Sequence, residues 1–161
     1  VPPMSLIFNF THSEVVTIGE KWLKQVIKCP VIAKEVKCSG SREIPDVIGF
    51  RADTSFLIEC KASRPDFLSD FKKPERQGLC SSLGNYRLYL APQGVIDHSR
   101  VPESWGILEI NTKGKVEIVR FMKGNIYCGS SSPERYKQED PFFHESDIHK
   151  ERSMLYSLLR R

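Results

Sequence analysis

Two short apolar runs joined by a polar stretch constrain the fold of this chain more than any other feature of its sequence. The first run spans residues 46–50, the second spans 56–61, and residues 51–55 between them are mostly polar. Apolar runs with this spacing are typical of a β-hairpin, in which two neighbouring strands pair antiparallel. The sequence therefore predicts a β-sheet with this hairpin as one of its parts.

Segments with helical or strand periodicity lie on both sides of the hairpin. Thr11-His12-Ser13-Glu14 has the form of a capping box and predicts an amphipathic helix over about 12–28. The other predicted elements are strands at 31–36, 86–91, 105–110 and 116–122, a helix from Arg64 to about 74, and a final helix from about 148 with Leu155, Leu158 and Leu159 on one face. This mixture of helices and strands predicts an α/β fold.

The length of 161 residues fits a single domain, 1–161, with a core over about 11–125 and a C-terminal loop and helix over about 126–161. Five cysteines without CxxC spacing argue against a disulfide framework and a zinc ribbon, so we expect reduced thiols and a cytoplasmic protein. No apolar stretch approaches the roughly 20 residues that span a bilayer, so no membrane partner is expected. The net charge of +4 is compatible with a polyanionic partner.

Three residues of the hairpin have the spacing of a metal-dependent hydrolase site. Asp46 lies at the mouth of one strand, and Glu59 and Lys61 project from one face of the next, because side chains alternate along a strand. The alternate positions should point into a core on the other face. Pairing of the strands can bring Asp46 beside Glu59, and two carboxylates at one point suit Mg²⁺ or Mn²⁺. Lys61 can orient or help deprotonate an attacking water, or neutralise developing negative charge.

A further acid could complete such a site from a neighbouring element. Glu14 lies in the first turn of the predicted helix and Glu20 nearly two turns later, whereas Glu35 lies on the first strand, where a simple surface charge is its expected role. His12 is a candidate for a supporting or phosphate contact at the start of the helix. Contacts to a phosphate backbone can come from hydroxyl and basic side chains. The candidates are Ser39, Ser41, Arg42, Arg64, Lys72, Lys73 and Arg87.

The run Pro45-Asp46 followed by Glu59-Cys60-Lys61, with an upstream helical glutamate, resembles the PD-(D/E)xK or restriction-endonuclease-like nuclease superfamily, which includes Holliday-junction resolvases. Longer segments between about 11 and 110 look similar to small phage and bacterial nuclease-like proteins of the MmcB-like DNA repair group. These segments are His12-Ser13-Glu14, residues 44–50, residues 58–63, Asp66-Phe67-Leu68, Lys72-Lys73-Pro74, residues 84–92 and residues 105–108.

The resemblance implies a restriction-endonuclease-like core, with a central mixed sheet flanked by helices and acids at one edge. It carries Asp46, Glu59 and Lys61 over as catalytic residues and adds Glu14, so the expected metal ligands are Asp46, Glu59 and Glu14. The expected function is Mg²⁺- or Mn²⁺-dependent hydrolysis of DNA in repair, recombination or phage DNA metabolism. The alternative is a catalytically silent DNA-binding or recruiting protein on the same fold. Cutting two strands would suit a homodimer, for which the sequence has no interface signature.

Overall fold

The computed structural model describes residues 9–36, 44–72, 83–122 and 140–160. Within these residues, six strands form one sheet in chain order. β3, β4 and β5 are parallel, whereas β1, β2 and β6 run antiparallel to their neighbours, so the predicted α/β fold with a mixed sheet is confirmed. The strands are β1 (Val31–Lys34), β2 (Val47–Arg51), β3 (Thr54–Cys60), β4 (Tyr86–Pro92), β5 (Gly106–Ile110) and β6 (Val116–Arg120).

The first helix, α1 (His12–Trp22), begins with the predicted capping box. The hydroxyl of Thr11 accepts from the backbone N–H of Glu14, and the carboxylate of Glu14 accepts from the N–H of Thr11, which satisfies donors that the helix ladder leaves open. The helix continues as a π-helical turn over Leu23–Ile27 and ends at Lys28, which adopts a left-handed conformation. The predicted end near residue 28 is therefore confirmed.

The predicted hairpin is formed by β2 and β3, with a register that runs from the pair Val47 and Ile58 to the pair Arg51 and Thr54. Its turn contains Ala52, which has a φ of 52°. Local spacing of apolar and polar residues was thus sufficient to predict this part of the sheet.

The sheet separates two hydrophobic clusters. The first lies between the sheet and α1, and it includes Ile58 and Cys60 as the alternation predicted. The second lies on the opposite face, which α2 (Arg64–Ser69) and α3 (Ile148–Leu159) cover through Phe67 and Met154. The sequence pattern had placed a core on the first face only.

The C-terminal helix α3 packs on the second cluster through a face centred on Met154, which is fully buried, so the core extends beyond the predicted limit near residue 125. Leu155 and Leu158 pack against this cluster, whereas Leu159, predicted to share a face with them, is 85% exposed. A helix turns by about 100° per residue, which rotates Leu159 about 140° away from Met154.

Several predicted features lie outside the described residues: the loop at 38–42, the residues Ser39, Ser41, Arg42 and Lys73, and residues 129–139 of the predicted C-terminal loop. No helix in the described part of the chain is both long and apolar enough to cross a membrane.

Candidate metal and nuclease site

The candidate site lies where three neighbouring strands end. β2 pairs with β3 through Val47 and Ile58, so one further step of the antiparallel register places Asp46 opposite Glu59. On the other side, the backbone N–H of Glu35 donates to the carbonyl of Asp46 at 3.0 Å. Glu35, Asp46 and Glu59 thus follow one another in a row across the ends of β1, β2 and β3.

The start of α1 brings a histidine to this row. The Nε2 atom of His12 lies 3.3 Å from Oδ1 of Asp46 and 3.4 Å from Oε1 of Glu35. Among the described residues, His12, Glu35 and Asp46 form a group whose potential ligand atoms all lie within 4.8 Å of one another. One imidazole nitrogen and two carboxylates at this separation can hold a divalent metal ion.

A backbone contact holds the carboxylate of Asp46 at the end of the hairpin. Its Oδ2 atom accepts a hydrogen bond from the backbone N–H of Cys60 at 2.8 Å, while Oδ1 faces His12. A carboxylate has about four lone-pair sites, so these contacts leave room for a metal ion on the same oxygens. The Asp46 side chain is 17% exposed and can be approached from solvent.

The pKa of the buried Cys60 thiol depends on the charged groups around it. Burial raises the pKa of Cys60 well above its ordinary value, and the carboxylates of Asp46, Glu59 and Glu35 raise it further. The positive charge of Lys61 acts in the opposite direction on the same pKa. Glu59 and Lys61 flank Cys60 in the chain, and Asp46 accepts a hydrogen bond from its backbone N–H, so the three residues that the sequence singled out lie around this thiol.

Glu59 and Lys61 share the second face of the sheet, as the alternation predicted, but both are buried. Glu59 is 2% exposed and does not belong to the group formed by His12, Glu35 and Asp46 in the described part of the chain. The Nζ atom of Lys61 donates to Oδ1 of Asp70 at 3.0 Å. The other oxygen of Asp70 accepts a short hydrogen bond from the hydroxyl of Tyr89.

The carboxylate of Glu14, which the resemblance assigned to the metal, is engaged in the capping box instead. Hydrogen bonds from the backbone N–H and the hydroxyl of Thr11 lower the pKa of Glu14. Glu20, the other helical candidate, pairs with Lys34 at 3.5 Å. Neither belongs to the group around Asp46 within the described residues, whereas His12, two residues before Glu14, does.

Two of the arginines that were predicted to contact phosphate form hydrogen bonds within the protein. The guanidinium group of Arg64 donates to the carbonyl of Gly94, and that of Arg87 donates to the carbonyls of Gly84 and Glu145. Arg64 is nevertheless exposed. Lys72 lies in the 3-10 turn that follows α2.

Comparisons with known proteins show the fold and no function. No protein-family model and no curated protein matches the chain. The solved structure of SPO1766, a protein of unknown function from Silicibacter pomeroyi, is similar with a TM-score of 0.53 and 19% sequence identity, and the match covers 85% of this chain and 97% of that one. Likeness at this level of identity supports the arrangement of helices and strands alone.

Proposed function

We propose that this protein is a metal-dependent nuclease that hydrolyses phosphodiester bonds of DNA on a restriction-endonuclease-like core. The observation that carries the proposal is the group of His12, Glu35 and Asp46 at the end of the β2–β3 hairpin, where Oδ1 of Asp46 lies 3.3 Å from Nε2 of His12. The register of the hairpin, extended by one step, places Glu59 opposite Asp46 in the backbone, and Lys61 follows the end of β3. A motif of two acids and a lysine is short, and the neighbouring group of His12, Glu35 and Asp46 adds to its support. The resemblance to PD-(D/E)xK nucleases points to the same residues.

The donor set fits a small divalent cation. His12, Glu35 and Asp46 supply one imidazole nitrogen and two carboxylate groups, whose ligand atoms lie within 4.8 Å of one another. Carboxylate oxygens suit Mg²⁺ and Mn²⁺, and an imidazole ligand shifts the preference towards the transition metal. We therefore assign Mg²⁺ or Mn²⁺ to this group, with His12 and Glu35 in the place that the resemblance gave to Glu14.

In the proposed reaction, a water oxygen adds to phosphorus and the bond from phosphorus to one sugar oxygen breaks. The water loses a proton and the leaving sugar oxygen gains one. A bound divalent cation would polarise the phosphate and make the attacking water more acidic. Asp46 and its neighbours position the reacting centre, and the ammonium group of Lys61, which is a hydrogen-bond donor only, stabilises negative charge as it develops on the phosphate oxygens.

A second candidate function is a DNA-binding protein that keeps this fold and does not cut. The observation that favours it is the contact of Lys61 with Asp70, because a lysine held in a buried ion pair at 3.0 Å has a structural partner already. In this case Asp46 and Lys61 maintain the hairpin end, and DNA affinity comes from basic side chains on the surface.

Cleavage assays with matched variants distinguish the two candidates. Asp46→Asn keeps an oxygen that can accept from Cys60 but removes the charge, and Asp53→Asn is its control, because Asp53 lies exposed in the turn at the other end of the same hairpin. Linear, single-stranded and branched DNA are incubated with each protein in Mg²⁺, Mn²⁺ or chelator. We expect metal-dependent cleavage by wild type and Asp53→Asn, and a loss on the order of 100-fold or more for Asp46→Asn.

Binding measured in the same samples completes the test. DNA binding by wild type without cleavage in any metal would reject the nuclease and leave the silent DNA-binding protein. Neither binding nor cleavage would reject both candidates.

A further inference from the structure

A chain of three buried polar groups begins at Lys61 and leads away from the carboxylate row. The ammonium group of Lys61 contacts one oxygen of Asp70 at 3.0 Å, and the hydroxyl of Tyr89 donates to the other oxygen. The side chain of Lys61 is 5% exposed and that of Asp70 is fully buried. We propose that Asp70 is a positioning residue that holds the Lys61 ammonium for phosphodiester hydrolysis, with Tyr89 fixing Asp70; the inference rests on the proposed nuclease function.

The three groups come from three separate elements. Lys61 follows the end of β3, Asp70 opens the 3-10 turn after α2, and Tyr89 lies in the middle of β4. The backbone N–H of Lys61 also donates to the carbonyl of Leu90, so the residue is fixed to β4 by its backbone and to the 3-10 turn by its side chain. A charged group supported in this way on rigid elements keeps one geometry, which catalytic groups require.

Protein stability alone is a weak reason for burying the ion pair of Lys61 and Asp70. Transferring two charges into a protein interior costs desolvation energy, and well-packed apolar residues usually serve stability as well or better. The surrounding face is apolar, with Leu57, Ile48 and Phe67 in the same cluster as Tyr89. A lysine at this point is accounted for if its charge is used in the proposed reaction; it follows the end of β3, two residues after Glu59.

Asp70 would lower the entropic cost of fixing the Lys61 ammonium against a substrate. A lysine side chain has several rotatable bonds, and its freedom is lost when the ammonium is fixed against a substrate. The contact with Asp70 restricts the side chain before substrate binds. Nζ has three donors, and one of them is given to Asp70. The effect should appear in the rate of the chemical step more than in substrate binding.

The test compares steady-state cleavage by wild type, Lys61→Ala, Asp70→Asn, Tyr89→Phe and the double variant Lys61→Ala/Asp70→Asn. For Asp70→Asn we expect kcat to fall about tenfold or more with KM changed less than about twofold, and for Tyr89→Phe a fall in kcat of about three- to tenfold. Because Asp70 acts through Lys61, adding Asp70→Asn to Lys61→Ala should cause no further loss of kcat.

A control for stability is available at the other end of β3. Glu151 is buried on the same face, where its Oε2 atom accepts from the hydroxyl of Ser55 and from the N–H of Gly84. Glu151→Gln should lower the melting temperature and leave kcat unchanged, so it shows what destabilisation alone does. If Asp70→Asn does not fold, Tyr89→Phe decides, since it keeps both charges of the ion pair.

Failure of the inference and failure of the proposed function give different results. If wild type cleaves and Lys61→Ala does not, while Asp70→Asn and Tyr89→Phe keep wild-type kcat, the positioning role is rejected and the nuclease stands. If the two losses multiply in the double variant, Asp70 does not act through Lys61. If wild type cleaves nothing, the nuclease is rejected and the positioning role with it.

Discussion

The ring of His12 lies against two carboxylates, and a metal ion held by this group would have one imidazole ligand. Nε2 is 3.3 Å from Asp46 and 3.4 Å from Glu35. An all-carboxylate centre suits Mg²⁺, Ca²⁺ and Mn²⁺, whereas imidazole is a good ligand for transition metals. A centre with one imidazole and two carboxylates should therefore distinguish Mn²⁺ from Mg²⁺ more strongly than the acids predicted from sequence would.

We expect the wild-type protein to bind Mn²⁺ more tightly than Mg²⁺ in calorimetric titrations. His12→Ala and Glu35→Gln should each weaken Mn²⁺ binding by about tenfold or more, and His12→Ala should affect Mn²⁺ more than Mg²⁺. The reason is that each change removes one of the donor atoms that lie within 4.8 Å of one another.

The matched control for this prediction is Glu14→Gln. Glutamine can replace glutamate in a capping box, so the start of α1 is preserved while the charge is lost. Mn²⁺ affinity should stay within about twofold of wild type. A loss as large as that of His12→Ala would instead support the ligand set implied by the resemblance, with Glu14 as a metal ligand.

At the scale of helices and strands, the features set by local spacing could be predicted from sequence. The capping box at Thr11 and Glu14 marked the start of α1, and alternation along β3 placed Glu59 and Lys61 on one face. Both signals involve residues a few positions apart, whose geometry follows from helix and strand periods. For the same reason Asp46 could be placed near Glu59, since a short hairpin fixes its own register.

Contacts between distant segments could not be predicted in this way. Glu35 has a φ of 49°, which breaks strand alternation at the end of β1, so period-two reasoning could not direct its carboxylate towards His12. Lys61 is buried in contact with Asp70. The two residues meet because the chain after β3 folds back on the sheet, which the sequence pattern does not predict. A capping box likewise locates the start of a helix but not the direction in which the helix crosses the sheet.

We expect His144, in the segment before α3, to make the free energy of unfolding depend on pH. His144 donates its backbone N–H to the carbonyl of Asn85 at 2.7 Å, and its ring lies 3.0 Å from the carbonyl of Ser104. Burial lowers the pKa of His144, and the positive charge of Arg87 contributes in the same direction, against opposing effects of Ser104 and Asp140. The folded protein thus favours the neutral ring more than the unfolded chain does.

A lowered histidine pKa gives stability that is complete above the unfolded pKa, near 6.5, and is lost as the pH falls below it. We expect the free energy of urea unfolding to decrease between pH 8 and pH 5 by a larger amount in wild type than in His144→Gln. Subtracting the two pH profiles removes the contributions of groups common to both proteins. Equal profiles, or a steeper one for the variant, would contradict the prediction.

At the scale of the whole molecule, a net charge of +4 coexists with a concentration of acids at one end of the sheet. In the absence of metal, the carboxylates of Glu35 and Asp46 repel a phosphate, whatever attraction the rest of the surface provides. A divalent cation held with His12 would neutralise both of these negative charges. If DNA binds across this end of the sheet, metal and DNA binding must therefore be coupled.

The coupling can be measured in both directions at one salt concentration, because DNA affinity depends strongly on ionic strength. We expect Mn²⁺ to tighten binding of hydrolysis-resistant phosphorothioate DNA by a factor of about 5 to 150, the usual range for linked sites. Thermodynamic reciprocity then requires DNA to tighten Mn²⁺ binding by the same factor. His12→Ala, which removes a ligand of the group around Asp46, should raise the Mn²⁺ concentration needed for the effect on DNA by about tenfold or more and leave metal-free DNA binding within about twofold.

If Mn²⁺ does not change the affinity for DNA and DNA does not change the affinity for Mn²⁺, while DNA still binds, the DNA lies elsewhere on the surface. Such a result would separate the metal group from the nucleic acid and favour the silent DNA-binding protein. Unequal factors would show that Mn²⁺ acts at additional sites, which a competition titration with Mg²⁺ would reveal. Equal factors above one would show that metal binding and DNA binding are coupled, which the proposed hydrolysis at this end of the sheet requires.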